Sequence, residues 1–595
     1  MSNPPVIQRI TDLTIMDTVI RIAKRSQLGE VASLEECKIC LKPVWFTAFF
    51  DGTGNNYKKD GNGLTDLGKT NYSNVAKLWQ FGHGGDGSSY PRTTAAYIEG
   101  VGTPCPKVGD TGEGLDKALG MAAASNGEKR IDWMLRELKR AVDKQQRQVR
   151  QINLAVFGFS RGATQARAFV RMLTEKRPHV ATLAIKDGNR LLWHETNSKG
   201  EYPELVVYFM GLFDTVASVG YGGSTLEKAA SYALPIAGAV LGGAPGAIAG
   251  AVGGATLKAI DDGGHAAWAN DLRIPGYVRR CVHFVASHEV REKFPCDSVR
   301  QNLALPSNCV EVFYPGMHSD VGGGYSRSAQ EGRSNELANV ALNNMFIEAW
   351  RAGVPLMEPS AVMADAGGLF EISEALERAW NNYMSQNDEG SKEGPPGGDG
   401  LQANIIWHMN RYYQWRESRR RRLNDGRLKK EGVDPYMAIT DKEWSDDVEQ
   451  LARTMTGYLT AQFMVSDQQK AIFNAYQVKN CWLGKQPDDI RRRFDLFFDH
   501  YVHDSIAGFK QQMAESEVGP AERSRWFVNR QYFVGKQGSK SLYWQYAGDK
   551  AESSGAKEGA RTSSSETENN EERAAAAAHR KLYRQQHEGL NWRGG

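Results

Sequence analysis

Residues 152–162 read I-N-L-A-V-F-G-F-S-R-G, an apolar run typical of a buried β-strand that ends in a G-x-S-x-G sequence. Residues 163–173 continue with the pattern of a helix. A strand, a sharp turn and a helix would lift the Ser160 hydroxyl to a sheet edge, and Gly158 and Gly162 would leave room for that turn. The positive helix N-terminus would favour negative charge beside the serine. The unit predicts a nucleophilic serine; the alternative is a glycine-bounded turn in a nucleotide-binding or structural α/β unit.

Two later strand candidates end at residues that a serine nucleophile requires. Residues 205–213 (L-V-V-Y-F-M-G-L-F) run into Asp214, and residues 310–314 (V-E-V-F-Y) lead into a loop that contains His318. Serine, acid and histidine follow in this order in α/β-hydrolases, where the loops after parallel strands converge on one edge. We therefore expect a triad in which Asp214 orients His318. The alternatives are that Asp214 caps a helix or turn, and that His318 is a loop histidine bonded to Asp320.

An oxyanion hole needs two backbone N–H groups, and the sequence offers candidates for both. One is Arg161, which follows the serine. The other lies in D-G-T-G-N-N, after the strand run at residues 44–50, where Gly52, Thr53 and Gly54 allow a close backbone approach. A tight turn with an Asp cap is the alternative. No G-K-[ST] follows the loop, so nucleotide binding is not expected, and the chemistry requires no metal or cofactor.

Four motifs, taken in order, carry a family resemblance. F-F-D-G-T-G-N-N, G-F-S-R-G-A-x-x-A-R, F-D-T-V-A-S and H-S-D-V-G-G-G-Y lie between residues 43 and 354. In this the chain resembles the Tle1-type phospholipase effectors of the bacterial type VI secretion system. The resemblance implies an α/β-hydrolase fold and a Ser160–Asp214–His318 triad. It also implies phospholipase A activity on membrane glycerophospholipids in a target cell's periplasm, delivery by a secretion spike protein and protection by a cognate immunity protein.

Two other functions stay open at this stage. The chain could be a soluble esterase or thioesterase that acts on small acyl substrates. It could also be a non-enzymatic toxin that permeabilises membranes through an uncharged segment described below. Hydrolysis that rises when the substrate is in bilayers would distinguish a phospholipase from the first. Toxicity that survives loss of Ser160 would identify the second.

Composition narrows the class of protein. A net charge of +3 over 595 residues argues against a dedicated nucleic-acid binder. Seven scattered cysteines, including one isolated C-x-x-C pair, do not form the pattern of a disulfide framework or a zinc knuckle. Residues 1–36 lack the apolar stretch of a signal peptide. This fits a leaderless secretion route and fits a cytosolic enzyme equally well.

The pattern along the chain predicts an α/β fold with a mostly parallel central sheet and a helical C-terminal region. That region is rich in Trp, Tyr and Arg; it either contacts a membrane or packs its aromatic side against the protein. The expected organisation is an N-terminal extension (1–42), a hydrolase domain (43–365) with an insertion at about 220–272, the helical region (366–546) and a low-complexity tail (547–595).

Residues 229–257 contain no charged side chain and consist mainly of alanine and glycine. The length would suffice for a bilayer span, but Ala and Gly favour membranes weakly and Pro235 and Pro245 interrupt the run. A membrane-contacting lid, a buried helical hairpin and a spanning helix are the three interpretations.

Charged residues at Ile236, Val240 and Ile248 test these interpretations. If the segment contacts lipid, the substitutions will depress hydrolysis of vesicles far more than hydrolysis of a short soluble ester, because only the first depends on apolar burial in the bilayer. Equal losses in both assays, with a lower melting temperature, would indicate a buried hairpin instead.

Overall fold

The computed structural model contains the full chain, and the Gly/Ala-rich segment lies outside the residues that it describes. Most of the low-complexity tail lies outside them as well. The described residues are 4–29, 41–61, 71–82, 92–111, 120–177, 180–217, 267–291, 294–301, 304–327, 329–330, 332–365, 368–385, 401–424, 437–438, 440–446, 488–505, 530–535, 541–545 and 552–553.

Within these ranges strands and helices alternate along the first half of the chain, and helices dominate the second. The strands are β1 (Lys42–Phe50), β2 (Thr93–Ile98), β3 (Val149–Phe159), β4 (Ala184–Asp187), β5 (Arg190–Trp193), β6 (Glu204–Phe213), β7 (Cys281–Ala286), β8 (Cys296–Gln301), β9 (Cys309–Tyr314), β10 (Gln531–Gly535), β11 (Ser541–Gln545) and β12 (Glu552–Ser553). The α-helices are α1 (Ile15–Gln27), α2 (Tyr57–Asp60), α3 (Asn74–Gln80), α4 (Gly120–Asp143), α5 (Arg161–Met172), α6 (His318–Gly322), α7 (Leu337–Ala352), α8 (Pro359–Asp365), α9 (Glu374–Ser385), α10 (Leu401–Asn424) and α11 (Asp488–Tyr501).

Six strands form a parallel sheet in the order β2-β1-β3-β6-β7-β9. The antiparallel hairpin β4–β5 joins this sheet at the start of β6. In a parallel sheet all carboxyl ends lie on the same edge, so the residues that follow β1, β3, β6 and β9 meet there. The predicted α/β class with a mostly parallel central sheet is confirmed.

The sheet is buried on both faces, which explains why its strands are almost continuously apolar. Along β1, Trp45 and Phe49 enter one core, and Phe46 and Phe50 enter the other. This alternation follows from the two-residue period of a strand. One core also contains side chains of α3 and α7, and the opposite core contains side chains of α4 and α5.

Helix α1 packs with its charged side inward. Only Asp17, Arg21 and Arg25, one per turn, are buried among its residues, whereas Ile15 and Ile22 are 86% and 61% exposed. Arg21 Nη1 donates to the carbonyl oxygens of Trp350 and Val354 at 3.1 and 2.8 Å, and Arg25 Nη1 donates to the Gly353 carbonyl at 3.0 Å. These arginines supply hydrogen-bond donors to carbonyl groups at and just after the C-terminal end of α7.

The C-terminal helices that the sequence predicts are present, and the region also contributes strands. Strand β10 pairs in parallel with β8, where Tyr532 faces Cys296, and β11 pairs antiparallel to β10. Residues 1–552 form one compact unit. The domain boundaries at residues 42, 365 and 546 stay predictions. Among the described helices, none is both long enough and apolar enough to cross a bilayer.

Candidate active site

Ser160 occupies the turn between β3 and α5, in a conformation that serine rarely adopts. Its φ of 57° and ψ of −127° lie in a sparsely populated region of backbone space. Its N–H donates to the Phe213 carbonyl at the end of β6 (3.0 Å). Glycine is required on either side: a Cβ at Gly158 would lie 2.5 Å from Cα of Ala163, and one at Gly162 would lie 2.3 Å from two carbonyl oxygens of β1 and its loop. The strained turn has the form of a nucleophile elbow.

Asp214 and His318 lie together at the same edge of the sheet. Asp214 directly follows β6, and its Oδ2 lies 2.5 Å from Nδ1 of His318, the first residue of α6. The imidazole lies 4.6 Å from the ring of Phe159, the residue before Ser160, and 5.1 Å from the ring of Phe294. Because Nδ1 binds the carboxylate, Nε2 remains as the basic nitrogen of the neutral ring.

The electrostatics of this pair suit a charged acid and a neutral base. Burial opposes ionisation of Asp214, but the Arg530 guanidinium and the hydrogen bond from His318 outweigh it and hold the pKa of this carboxyl well below its usual range. Burial lowers the pKa of His318 below that of a free imidazole, although Asp214 opposes the shift. At neutral pH the imidazole is therefore largely unprotonated and able to accept a proton.

A second carboxylate, Glu289, lies on the backbone side of the histidine. Its Oε2 accepts the His318 N–H at 3.2 Å, and both of its oxygens accept from Arg291 at 2.9 Å. Ser505 also donates to it at 3.1 Å. Burial disfavours its charge, but Arg291 outweighs burial and lowers the pKa of Glu289 to about 2. Glu289 thus anchors the start of α6 without contacting the imidazole nitrogens through any hydrogen bond found in the described residues.

The backbone amides of the loop after β1 differ in whether they already donate a hydrogen bond. The Gly52 N–H donates to the Asp51 carboxylate at 2.7 Å, and the Gly54 N–H donates to the Val101 carbonyl at 3.0 Å. The Thr53 N–H donates no hydrogen bond within the described part of the chain, and its Oγ1 accepts from Arg161 Nη1 at 3.2 Å. Of the three loop residues predicted for the oxyanion hole, Thr53 therefore has the available amide.

The carboxylate of Asp51, which the sequence predicted only as the cap of a turn, holds this loop in place through hydrogen bonds. Besides the Gly52 N–H, it accepts from the hydroxyls of Ser73 and Tyr97, each at 2.5 Å. Burial raises the pKa of Asp51 to about 7, in spite of these hydrogen bonds. The carboxylate that shapes the loop consequently titrates near neutral pH.

Asp320 makes no hydrogen bond to the His318 imidazole in the described part of the chain. Its oxygens accept from the N–H groups of Met317 and His503 at 2.9 and 3.0 Å, and lie 2.6 Å from Nδ1 of His503. Met317 immediately precedes His318, so Asp320 ties the start of α6 to the C-terminal region. The alternative in which Asp320 is the partner of His318 is not what the structure contains, since Nδ1 of His318 meets Asp214.

Three residues of the C-terminal region make contacts near His318 that no sequence pattern predicted. His503, Ser505 and Arg530 each meet one of the buried carboxylates around His318. No local motif marks them, because each partner is more than 180 residues earlier in the chain. The histidines in C-V-H-F-V-A-S-H behave as expected of core residues: His283 lies in β7 beside Glu311, and His288 lies beside Tyr383.

The family to which the chain belongs follows from a family-model comparison. The model described as T6SS, Phospholipase effector Tle1-like, catalytic domain matches residues 46–176 and 182–348, half of the chain. The chain belongs to this family. The resemblance seen in the motifs is thereby confirmed. The matched ranges include residues 46–50 of β1, the turn of Ser160 and the loop of His318.

Two solved structures that match this Tle1-like chain share little sequence with it. The crystal structure of an uncharacterised protein from Pseudomonas aeruginosa has a TM-score of 0.59 at 20% identity, covering 91% of this chain and 86% of that one. A Tle1 effector bound to the VgrG spike has a TM-score of 0.35 at 17% identity, covering 64% and 86%. A search of curated proteins gave no match.

The elbow geometry predicts that Gly162→Ala abolishes activity and destabilises the fold. The added methyl would lie 2.3 Å from the carbonyl oxygens of Phe50 and Asp51, and such overpacking costs about 1–3 kcal/mol. Gly276→Ala, where no atom lies within 4 Å, is the control. Thermal melts and ester hydrolysis would be compared, and wild-type values for Gly162→Ala would contradict the elbow.

The two aspartates are expected to differ in what their loss affects. Asp214→Asn should lower turnover by about 10⁴, because the productive tautomer and the imidazolium lose their partner. Its stability should also fall, since Arg530 would lose a buried carboxylate. Asp320→Asn should retain turnover within about tenfold and lose about 1–3 kcal/mol of stability. Hydrolysis measured below both melting transitions decides; an active Asp214→Asn beside an inactive, folded Asp320→Asn would reverse the assignment.

Proposed function

We propose that the chain is a serine phospholipase A that hydrolyses carboxylic esters of membrane glycerophospholipids. The observation that carries the proposal is the strained elbow at Ser160 beside the His318–Asp214 pair. Three loops from separate parallel strands converge to build this arrangement, and a merely structural turn has no need of it. Ser160 is the proposed nucleophile, His318 the general base and acid, and Asp214 the residue that orients the imidazole.

The reaction proceeds in two balanced halves. Ser160 Oγ attacks the ester carbonyl carbon while its proton passes to Nε2 of His318. The bond to the glycerol oxygen then breaks, and the imidazolium protonates that oxygen, which releases a lysophospholipid. A water molecule gives a proton to the same imidazole and attacks the acyl-serine; the fatty acid leaves as Ser160 regains its proton.

The N–H groups of Arg161 and Thr53 are the proposed oxyanion hole. Arg161 is the first residue of α5, so its amide adds to the positive end of that helix. Thr53 is held next to it by the hydrogen bond from the Arg161 side chain. The predicted contributions of Gly52 and Gly54 then become indirect, because their amides bind Asp51 and Val101.

Positive charge beside the nucleophile favours an anionic substrate. The Arg161 guanidinium lies 5.9 Å from the centre of the Phe294 ring, and that of Arg291 lies 3.5 Å from it. Burial and the nearby Arg291 lower the pKa of Arg161 to about 10, which leaves its guanidinium charged at neutral pH. A phosphodiester offers charged oxygens that a guanidinium binds well and a neutral short ester does not, which supports a phospholipid over a small acyl substrate.

Family membership supports the setting in which the enzyme would act. As a type VI effector it would leave the producing cell without a signal peptide and act in the periplasm of a target cell. A secretion spike protein and a cognate immunity protein are the proposed partners, beside the phospholipid substrate. The permeabilising function would require residues 229–257, which lie outside the described residues.

Incubation of mixed phospholipids with the wild type and Ser160→Ala, followed by mass spectrometry, tests the proposal. The wild type should release lysophospholipid and free fatty acid, and Ser160→Ala should lose at least about 10³ of the rate. Ser319→Ala, which alters the neighbour of His318, is the matched control and should retain activity. Fatty acid release by Ser160→Ala would refute the nucleophile, and membrane damage without lipid cleavage would favour the permeabilising function.

A further inference from the structure

Arg530 lies in the C-terminal region and binds the carboxylate of Asp214, the acid of the proposed triad. Its Nη1 and Nη2 lie 2.7 and 2.8 Å from Oδ1 and Oδ2 of Asp214, a bidentate pair between residues 316 positions apart. Both side chains are buried. Planar two-point pairing of this kind fixes the rotation of a carboxylate as well as its charge.

The guanidinium is itself held in place on its other sides. Nε donates to the Phe294 carbonyl at 2.6 Å, and Nη1 also donates to the Ala286 carbonyl at 3.2 Å. Arg530 directly precedes β10, whose pairing with β8 sets its position along the sheet edge. With these donors occupied, Arg530 is not arranged to bind substrate; its chemistry is directed at Asp214.

The remaining donors on Asp214 show what Arg530 adds. Oδ1 also accepts the Ala286 N–H at 3.0 Å, and Oδ2 lies 2.5 Å from Nδ1 of His318. Without Arg530 one backbone amide would be left to orient a buried carboxylate that must face the imidazole. A charge of this kind is retained in a protein interior only with a partner.

We infer that Arg530 is a positioning residue for ester hydrolysis: its guanidinium fixes the Asp214 carboxylate so that Oδ2 meets Nδ1 of His318, and it balances the charge of that carboxylate. The C-terminal region is thus part of the catalytic apparatus. This inference rests on the proposed function, because it assigns a role within the same triad. It extends that function to a residue outside the 46–348 span that the family model matches.

A purely structural role of Arg530 and a positioning role would differ in how loss of Arg530 affects the protonation of His318. The charged groups facing His318 are Asp214, Glu289 and Arg291, with Arg530 behind Asp214. Removal of the Arg530 charge leaves a more negative field at the imidazole, so the His318–Asp214 pair binds a proton at higher pH. The acid limb of activity, where His318 must lose its proton, should therefore move to higher pH.

Other titrating groups do not obscure this shift. Cys296, Tyr532 and Glu289 also lie within electrostatic range of Arg530. Burial raises the pKa values of Cys296 and Tyr532 far above neutral pH, whereas Arg291 outweighs burial at Glu289 and lowers its pKa to about 2. Asp51 titrates near pH 7 but has no contact with Arg530 among the described residues, so its effect is common to all variants. A displacement between the variant and the wild type thus reports on the triad.

The test compares Arg530→Met, Arg530→Lys and Arg416→Met with the wild type between pH 5 and 9. The readouts are turnover of a soluble ester and the rate at which a fluorophosphonate labels Ser160, both below the melting transition. Arg530→Met should lower kcat about 10- to 100-fold with little change in KM, and move the acid limb up by about one pH unit. Arg530→Lys, which keeps the charge, should retain the limb and part of the rate.

Arg416→Met is the matched control. Arg416 is a buried arginine of the same C-terminal region, bound to Asp441 and Asp504 and not to the triad. Its loss should lower the melting temperature and leave the pH profile unchanged. In the Asp214→Asn background, Arg530→Met should cause no further loss of rate, since it acts through Asp214.

The outcomes separate the inference from the proposed function. A wild type that neither cleaves esters nor is labelled at Ser160 refutes the proposed function. An active wild type beside an Arg530→Met variant with unchanged rate and acid limb overturns the inference alone. The inference is also overturned if Arg530→Met lowers the rate of the Asp214→Asn variant by the same factor as it lowers that of the wild type. If Arg530→Met fails to fold, Arg530→Lys decides, because wild-type kcat in that variant would show that two-point pairing is unnecessary.

Discussion

The buried carboxylate of Asp214 is the interaction on which the site depends. It follows β6 and accepts hydrogen bonds from the Ala286 N–H at the end of β7, from His318 in α6 and from Arg530 before β10. A charge at this depth is tolerated only if its oxygens are satisfied, so four segments that are distant in sequence must converge. The hydrogen bonds that keep Asp214 ionised therefore also fix the positions of the His318 imidazole and of the C-terminal region around Arg530.

Parallel topology explains why much of the site could be predicted from the sequence. Each parallel strand is buried on both faces and ends abruptly, so Ser160, Asp214 and the loop of His318 stand directly after long apolar runs. Because all carboxyl ends lie on one edge, such residues meet even though the chain separates them. The order serine, acid, histidine along the chain and the glycines on either side of Ser160 predicted which of these residues would act together.

The parts that could not be predicted lack any local signal. Arg530 lies 316 residues from Asp214, and His503 lies 183 residues from Asp320. Their roles arise from the tertiary fold alone. The oxyanion loop shows a subtler limit: D-G-T-G-N-N identifies the segment, but which amide is available depends on the side chain of Asp51, which takes up the Gly52 N–H.

Two carboxylates, Asp214 and Glu289, act on the His318 imidazole and would ordinarily favour its protonated form, which cannot serve as a base. Here each is paired with an arginine: Asp214 binds Arg530 and Glu289 binds Arg291. The negative field at the imidazole is thus largely cancelled, and burial becomes the dominant influence on His318. The carboxylates of Asp214 and Glu289 can thus hold His318 in position while its imidazole stays neutral. A neutral imidazole is the state that a serine nucleophile requires of its base.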